Sequence, residues 1–250
     1  MSVLHTLPSG ATLTDTGQPD ATLKPGIIVI PGGGYEYHSA HETECIAEWL
    51  ESIGLRAFVL RYRLQPDLHP APLEDAQTAI RLVRENAVSW GVHAGVMGVI
   101  GFSAGGHIAS TVSTRWSDRT ERPDFAVLVY PVISMGPLGH AGSRGFLLGP
   151  TPDPEVVASL SNETQVTSET PSTFIVHGAN DKTVSVRNAL VYAMALSEAG
   201  VPFELHCPRN MLHDTAMSVV GTPSDWRPAA SEWLLVITEA LLSKSSPPLT

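Results

Sequence analysis

The chain contains the stretch Val99-Ile100-Gly101-Phe102-Ser103-Ala104-Gly105-Gly106-His107, in which Gly-x-Ser-x-Gly joins a short apolar run to the start of a helical pattern. On such a turn the serine hydroxyl is lifted out of the sheet edge, and the flanking glycines leave room where a Cβ would clash. The N-terminus of the following helix brings backbone N–H groups and a partial positive charge close to that hydroxyl. The stretch therefore predicts a nucleophilic Ser103 on a strand-to-helix turn.

The composition is that of a globular protein. The 250 residues are 43% hydrophobic and 16% charged, which suits one large domain. The net charge is −10 and the basic residues form no cluster, so nucleic acids and anionic membrane surfaces are poor partners. Cys45 and Cys207 match no metal-ligand or redox spacing and are expected to be free thiols. The N-terminus lacks the pattern of a signal peptide, and no apolar run approaches the ~20 residues of a membrane helix, so we expect a cytoplasmic protein.

Short apolar runs alternate with amphipathic helical patterns along the chain. Strands are predicted at residues 27–30, 56–60, 96–100, 125–130, 173–177 and 202–206. Helices are predicted at residues 41–53, 73–90, 185–199 and 226–242, and directly after Ser103. This alternation predicts an α/β fold with a mostly parallel, doubly wound sheet that carries helices on both faces.

The remaining segments suggest how this single domain is bounded. Residues 1–26 are turn-rich and are expected to form an N-terminal edge segment of the domain, which itself spans residues 27–242. Residues 243–250 are expected to form a flexible tail. Residues 131–165 are rich in Gly, Pro and Ser, with one short helix near 154–160, and a connection of that length usually lines a site.

A serine hydroxyl needs an adjacent base, and the base needs an orienting acid. On a doubly wound sheet these groups come from loops at the carboxyl ends of the strands. Asp181 follows the strand predicted at 173–177, and His213 follows the strand predicted at 202–206. Asp214 is an alternative acid, but a residue adjacent to the histidine reaches its Nδ1 with difficulty. The order Ser103, Asp181, His213 predicts a catalytic triad and a serine hydrolase.

A second glycine motif supplies a candidate oxyanion hole. Pro31-Gly32-Gly33-Gly34-Tyr35 follows the strand predicted at 27–30, so the N–H groups of Gly33 and Gly34 are candidates to face a substrate oxygen. The N–H group of Ala104, directly after the nucleophile, is the other expected donor. Tyr35 is a candidate substrate contact because of its position next to these glycines.

These motifs resemble those of the small esterases of the α/β-hydrolase superfamily that are grouped with acetylxylan esterases and hormone-sensitive-lipase-like enzymes. The resemblance runs from about residue 27 to 233 and rests on the following strings: Pro31-Gly-Gly-Gly-Tyr35, Leu60-Arg-Tyr-Arg63, Pro70-Ala-Pro-Leu-Glu-Asp75, Gly101-Phe-Ser-Ala-Gly-Gly-His107, Tyr130-Pro-Val-Ile-Ser-Met135, Leu147-Leu-Gly149 and Val201-Pro-Phe-Glu-Leu-His206.

The resemblance implies deacetylation of acetylated sugars, such as xylo-oligosaccharides, through an acyl-serine intermediate, with neither a metal nor a cofactor. The chain departs from the family pattern at its histidine, which the family usually surrounds with glycines and which here has Met211, Leu212 and Asp214 as neighbours. Little chain precedes the first glycine motif, so we expect no large cap domain and an open site that suits soluble sugar esters better than lipid chains.

Three alternatives remain open at this stage. The same triad serves peptidases or amidases related to prolyl oligopeptidase, and it also serves general short-chain aryl or alkyl carboxylesterases. A hydrolase-like binding protein that has lost its base is the non-enzymatic alternative. The histidines outside the triad show no ligand spacing, so no metal site is expected. The sequence does not predict the oligomeric state.

Overall fold

The computed structural model describes residues 2–19, 22–217 and 219–245. The strands are β1 (Val3–Thr6), β2 (Thr12–Asp15), β3 (Lys24–Ile30), β4 (Arg56–Arg61), β5 (Val92–Phe102), β6 (Phe125–Val129), β7 (Ser172–Val176) and β8 (Phe203–His206). The helices are α1 (Glu44–Ser52), α2 (Ala71–Glu85), α3 (Ser103–Thr114), α4 (Ala141–Leu148), α5 (Pro154–Ser159), α6 (Arg187–Glu198) and α7 (Arg227–Ser245).

The eight strands form one sheet in the spatial order β1-β2-β4-β3-β5-β6-β7-β8. The six strands from β4 to β8 along that order run parallel, whereas β1 and β2 are antiparallel to their neighbours at one edge. A strand–helix–strand chain yields parallel neighbours, which is why the sheet is parallel wherever helices connect the strands. The predicted α/β fold with a mostly parallel sheet is confirmed.

Alternate side chains of the strands enter two separate hydrophobic cores. On β3, Ile28 and Ile30 point into the core that also holds residues of α2, α3 and α6, while Ile27 and Val29 point into the core under α1 and α7. All four isoleucine and valine side chains have no solvent exposure. A strand buried on both faces reads as a continuous apolar run rather than an alternating one, which is the pattern of residues 27–30.

The structure departs from the sequence-based expectations at several places. Helix α2 ends at Glu85, five residues before the predicted end at residue 90. Strand β5 begins at Val92, four residues before the predicted start. Helix α4 was not predicted, because Gly142 and Gly145 interrupt its short apolar pattern. Helix α7 continues to Ser245, three residues beyond the predicted end of that helix, so residues 243–245 of the expected tail are helical. Residues 246–250, the rest of the expected tail, lie outside the described residues.

Two further expectations concern the cysteines and membrane-spanning helices. Cys45 and Cys207 are free thiols, as predicted. In the described part of the chain, no helix has both the length and the apolar character that crossing a bilayer takes.

Candidate active site

Ser103 lies where β5 ends and α3 begins, in a conformation typical of a nucleophile elbow. Its φ of +49° falls in the left-handed region, which is strained for a residue with a Cβ. Two glycines make this turn possible: a Cβ on Gly101 would approach the Gly105 carbonyl oxygen to 2.3 Å, and a Cβ on Gly105 would approach the Ile30 carbonyl oxygen to 2.1 Å. The elbow is therefore packed tightly against β3, and it holds the serine in one orientation.

His213 is in contact with this serine. The Nε2 atom of His213 lies 2.9 Å from Ser103 Oγ, within hydrogen-bonding distance. The histidine belongs to the segment between β8 and α7, and we call residues 207–216 the histidine loop. This loop packs on the segment after β7, where a Cβ on Gly178 would lie 1.6 Å from the Met211 carbonyl oxygen. Met211 is buried, and its packing holds the histidine loop in place. One of the bulky neighbours of His213 therefore has a structural role.

The carboxylate of Asp181 completes a chain of hydrogen bonds. Asp181 Oδ2 lies 2.7 Å from His213 Nδ1, while Oδ1 accepts bonds from the backbone N–H groups of Thr183 and Val184. Burial alone raises the pKa of Asp181, but the hydrogen bonds from His177 and His213 outweigh it and hold that pKa well below its ordinary value. The side chain is therefore a carboxylate throughout the neutral range, and it can orient His213 and stabilise its cationic form.

The alternative acid, Asp214, lies on the wrong side of the imidazole. Its Oδ1 is 3.8 Å from Nε2 of His213, the atom that faces the serine, and its side chain is 55% exposed. Asp214 has a φ of +57°, which turns the chain sharply after the histidine. The geometry therefore favours Asp181 over Asp214 as the acid.

One residue that the sequence analysis missed contacts this acid. The fully buried His177 at the end of β7 has its Nε2 2.9 Å from the Val184 carbonyl oxygen and 3.3 Å from Asp181 Oδ2. Because a carbonyl oxygen can only accept, Nε2 carries a proton and points it at both oxygens. The spacing of four residues between His177 and Asp181, across the end of a strand, was the signal that could have indicated this contact.

The glycine motif forms a turn, residues 31–35, beside the elbow, and we call it the oxyanion turn. Gly33 and Gly34 have φ of +111° and +69°, and a Cβ on Gly33 would lie 2.0 Å from the Tyr37 carbonyl oxygen. Within the described residues, no hydrogen-bond acceptor is assigned to the N–H group of either glycine. Ala104 is in the first turn of α3, where N–H groups have no carbonyl partner within the helix. The three predicted donors thus lie around Ser103.

Buried side chains hold the oxyanion turn from several directions. Glu42, which has no solvent exposure, accepts a 2.7 Å hydrogen bond from the Gly32 N–H group, and the Tyr62 hydroxyl donates a 2.9 Å bond to the Pro31 carbonyl oxygen. Burial raises the pKa of the Glu42 carboxyl group, and the bonds from Tyr130 and Gly32 oppose that rise. These contacts fix the turn at the cavity, which Gly33 and Gly34 line.

Tyr35 is not a substrate contact, and that expectation is wrong. Its side chain is only 1% exposed, and its hydroxyl lies 2.7 Å from Nδ1 of His107 on α3. His107 in turn has Nε2 2.8 Å from the Leu160 carbonyl oxygen, so Nε2 donates there and Nδ1 accepts from Tyr35. Tyr35 therefore connects the oxyanion turn to helix α3 instead of facing the cavity.

A cavity of about 170 Å³ opens in front of Ser103 and His213. Its other walls are Gly33, Gly34, Glu36, Tyr37, His140, Gly142, Phe146, Thr183 and Asp214. The segment 131–165 contributes His140 and the α4 residues, as its composition predicted. The described residues that line the cavity include no lysine or arginine. A second cleft, of about 660 Å³, lies between α4 and α5 and holds none of the three triad residues.

Three potential ligand groups lie close together beside the cavity. Atoms of His41, Glu42 and Asp214 lie within 4.8 Å of one another. Both Glu42 oxygens already accept hydrogen bonds, from the Gly32 N–H group and the Tyr130 hydroxyl, which accounts for this buried carboxylate without an ion. His41 and Asp214 are exposed.

Comparisons with known proteins identify relatives that are similar to this chain in sequence and in structure. The chain is 43% identical in sequence to an acetyl ester-xyloside bifunctional hydrolase from Caldicellulosiruptor lactoaceticus. The crystal structure of that protein superimposes on this one with a TM-score of 0.87, over 92% of this chain and 89% of that chain. It is 37% identical over 180 residues to an acetylxylan esterase of Xylanibacter ruminicola, covering 70% of this chain and 37% of the relative. It is also 37% identical over 191 residues to an endo-1,4-beta-xylanase B of Butyrivibrio fibrisolvens, covering 71% and 30%.

This chain spans about a third of the length of those two curated relatives. A family model described as the alpha/beta hydrolase fold matches residues 27–217, which contain the elbow, the oxyanion turn and all three triad positions. The protein therefore belongs to the α/β-hydrolase family.

Proposed function

We propose that the protein is a serine carboxylic ester hydrolase that removes acetyl groups from small acetylated carbohydrates resembling xylo-oligosaccharides. The observation that carries the proposal is the hydrogen-bonded chain Ser103–His213–Asp181 at a cavity lined by the oxyanion turn. The names of three relatives support the sugar-ester class, since one is an acetylxylan esterase, one is an acetyl ester-xyloside bifunctional hydrolase and one is an endo-1,4-beta-xylanase.

The proposed reaction proceeds in two halves. Ser103 Oγ attacks the acetyl carbonyl carbon while its proton passes to Nε2 of His213, and Asp181 stabilises the resulting imidazolium. The N–H groups of Ala104 and of Gly33 or Gly34 stabilise the oxyanion. When the intermediate collapses, the sugar oxygen leaves with the proton from His213, and the acetyl group remains on Ser103. A water molecule then attacks the acetyl-serine carbonyl carbon while its proton passes to Nε2 of His213. When this second intermediate collapses, Ser103 Oγ leaves with that proton, which restores the serine hydroxyl and releases acetic acid, which ionises to acetate.

The size and lining of the cavity favour a small ester. About 170 Å³ is below the ~300–1,000 Å³ that pockets for drug-sized ligands occupy, so a short acyl group fits this cavity better than a long acyl chain does. We therefore expect turnover of acetyl esters to exceed that of long-chain esters. Similar rates on acetyl and long-chain p-nitrophenyl esters would count against this assignment.

The alternatives make different predictions on the same triad. A peptidase or amidase cleaves an aminoacyl amide at a rate comparable to an acetyl ester, whereas an esterase does not. A general carboxylesterase cleaves aryl and alkyl acetates as well as sugar acetates. A binding protein without an activated serine does not react rapidly with an organophosphonate. We expect rapid labelling of Ser103, because His213 is in place to accept its proton.

A substrate panel with one variant and one control tests the proposal. Acetylated xylo-oligosaccharides, acetylated monosaccharides and aryl acetates are assayed with the wild type, Ser103→Ala, and Ser197→Ala on the exposed end of α6. We expect Ser103→Ala to keep the fold and lose more than about 10³-fold in kcat, because the nucleophile is absent. Ser197→Ala should behave as the wild type. Substantial activity in Ser103→Ala would end the proposal.

We also propose that the protein acts in the cytoplasm on diffusible substrates. Two free cysteines suit a reducing compartment, and the negative net charge suits neither nucleic acid nor anionic lipid as a partner. Fractionation of cells that express the protein at its natural level tests the location, and recovery with the membrane or the medium would contradict it.

A further inference from the structure

The Glu42 carboxylate contacts both the oxyanion turn and Tyr130. It has no solvent exposure, and its Oε2 atom accepts the 2.7 Å bond from the Gly32 N–H group of the oxyanion turn. Its Oε1 atom accepts a 2.6 Å bond from the hydroxyl of Tyr130, which follows β6. A Cβ on Gly32 would come within 2.9 Å of Glu42 Oε2 and of Ser103 Cβ, so this carboxylate is packed directly behind the nucleophile.

The Tyr130 hydroxyl continues the connection to the histidine loop. It accepts a 3.1 Å bond from the Ala216 N–H group, and the Tyr130 ring lies 4.8 Å from the His213 ring between centroids. The Ala216 carbonyl oxygen accepts a 3.1 Å bond from Trp226 Nε1, which fixes this end of the loop. Tyr130 and Ala216 both have φ of +37°, an unfavourable conformation that surrounding contacts must maintain.

We infer that Glu42 is a positioning residue that, through Tyr130, couples the oxyanion turn to the histidine loop. The inference rests on the proposed serine hydrolase function. One carboxylate accepts a backbone N–H group of the turn with one oxygen and, with the other, orients the hydroxyl that holds the loop. Neither residue touches the reacting atoms. Loss of either contact leaves a buried polar group unpaired and frees the turn or the loop from its place around Ser103.

A double-mutant cycle tests this coupling. Tyr130→Phe removes the hydroxyl and both of its bonds. Glu42→Gln leaves one acceptor oxygen for two donors, so one bond is lost. Each variant should lower kcat by about tenfold to a hundredfold, the effect of losing a hydrogen bond to a charged group, and should change KM by less than about threefold. The double variant should lose little more than the worse single variant, because both substitutions break one connected unit.

Matched controls separate positioning from general stability. Tyr192→Phe removes a buried hydroxyl that has no hydrogen-bond partner among the described residues. Glu121→Gln alters a buried carboxylate that accepts the Ser117 N–H group, on the segment between α3 and β6. Both controls should keep the wild-type kcat. Circular dichroism and thermal unfolding establish the folded fraction, so that kcat is expressed per folded molecule. If Glu42→Gln does not fold, Tyr130→Phe against Tyr192→Phe decides.

The results that test the coupling can be told apart from those that test the proposed function. Wild-type protein without esterase activity would contradict the proposed function itself. With an active wild type, an unchanged kcat in Tyr130→Phe, or losses that multiply in the double variant, overturns the coupling. A selective fall in kcat with losses that do not multiply supports it.

Discussion

At the scale of single residues, His213 has two carboxylates near its imidazole ring, and their positions determine how this base is oriented. Asp181 approaches Nδ1 of His213 at 2.7 Å and is fixed by two backbone N–H groups and by His177, whereas Asp214 lies nearer Nε2 and is mostly exposed. A carboxylate on Nδ1 leaves Nε2 free to accept the serine proton. A carboxylate on the Nε2 side would compete with the serine for that atom.

We therefore expect Asp181→Asn to lower kcat by about 10³–10⁴-fold with a small change in KM, because an amide neither fixes the productive tautomer nor stabilises the imidazolium. Asp214→Asn should cause a far smaller loss. Steady-state kinetics on an acetyl ester at neutral pH measures both. Equal losses in the two variants would show that the assignment of the acid is wrong.

His107 is a residue whose protonation opposes folding. Burial lowers its pKa to about 4, against an ordinary value near 6.5, and the bond to the Leu160 carbonyl oxygen only partly offsets this. Between those two values the unfolded chain binds more protons than the folded one, so the free energy of unfolding falls as pH falls from about 6.5 to about 4. The loss over that window is about 3 kcal/mol.

His107→Gln should flatten this part of the pH dependence. A glutamine amide can accept from Tyr35 and donate to Leu160 but does not titrate, so the variant is expected to be less stable than the wild type at pH 7 and closer to it at pH 4.5. Urea unfolding at several pH values measures the difference, in which contributions from other titrating groups cancel. Parallel curves for the two proteins would contradict the prediction.

At the scale of elements, replacing a helical glycine with alanine is expected to have opposite consequences in α3 and α4. Gly105 in α3 and Gly145 in α4 are both helical glycines, but a Cβ on Gly105 would lie 2.1 Å from the Ile30 carbonyl oxygen, whereas a Cβ on Gly145 meets nothing within 4 Å. Helix α3 can approach β3 closely only without a side chain at position 105. Helix α4 has no such requirement.

Gly105→Ala should destabilise the fold by roughly 1–3 kcal/mol or more and reduce activity, since the elbow must shift. Gly145→Ala should raise stability by about 0.5–1 kcal/mol, because alanine loses less backbone entropy in a helix than glycine does. Thermal unfolding and esterase kinetics on the two variants test the pair. A stable Gly105→Ala variant with full activity would show that the close approach does not constrain the elbow.

The elements also show which parts of the molecule a sequence can predict. Strands buried on both faces appear as apolar runs, so β3 and β7 were predictable. The oxyanion turn follows β3, and Asp181 follows β7. Helix α4 was missed because its glycines weaken the local pattern. The Glu42–Tyr130 bond joins residues 88 positions apart, and Tyr35 turns inward to His107. Such contacts depend on how distant segments pack, which periodicity and motifs do not record.

At the scale of the whole molecule, the net charge and the charges at the cavity have the same sign. The protein carries a net charge of −10, and the cavity is lined by the exposed carboxylates of Glu36 and Asp214 and by no described lysine or arginine. A cleft lined by one sign of charge raises the local concentration of ions of opposite sign and lowers that of like-charged ones. We therefore expect the site to favour neutral esters over esters that carry a carboxylate.

A matched pair of substrates tests this selection. We expect kcat/KM for 4-acetoxybenzoate to be about twofold to tenfold lower than for its neutral methyl ester at low salt, after correction for intrinsic reactivity, with the gap narrowing at 0.5 M salt (about 4 Å screening length). Glu36→Gln should narrow the gap already at low salt, because it removes a charge at the cavity. Glu198→Gln, an exposed change at the end of α6, should not. A ratio that is the same at all salt concentrations, or that Glu198→Gln alters as much as Glu36→Gln, would show that charge at the cavity does not select the substrate.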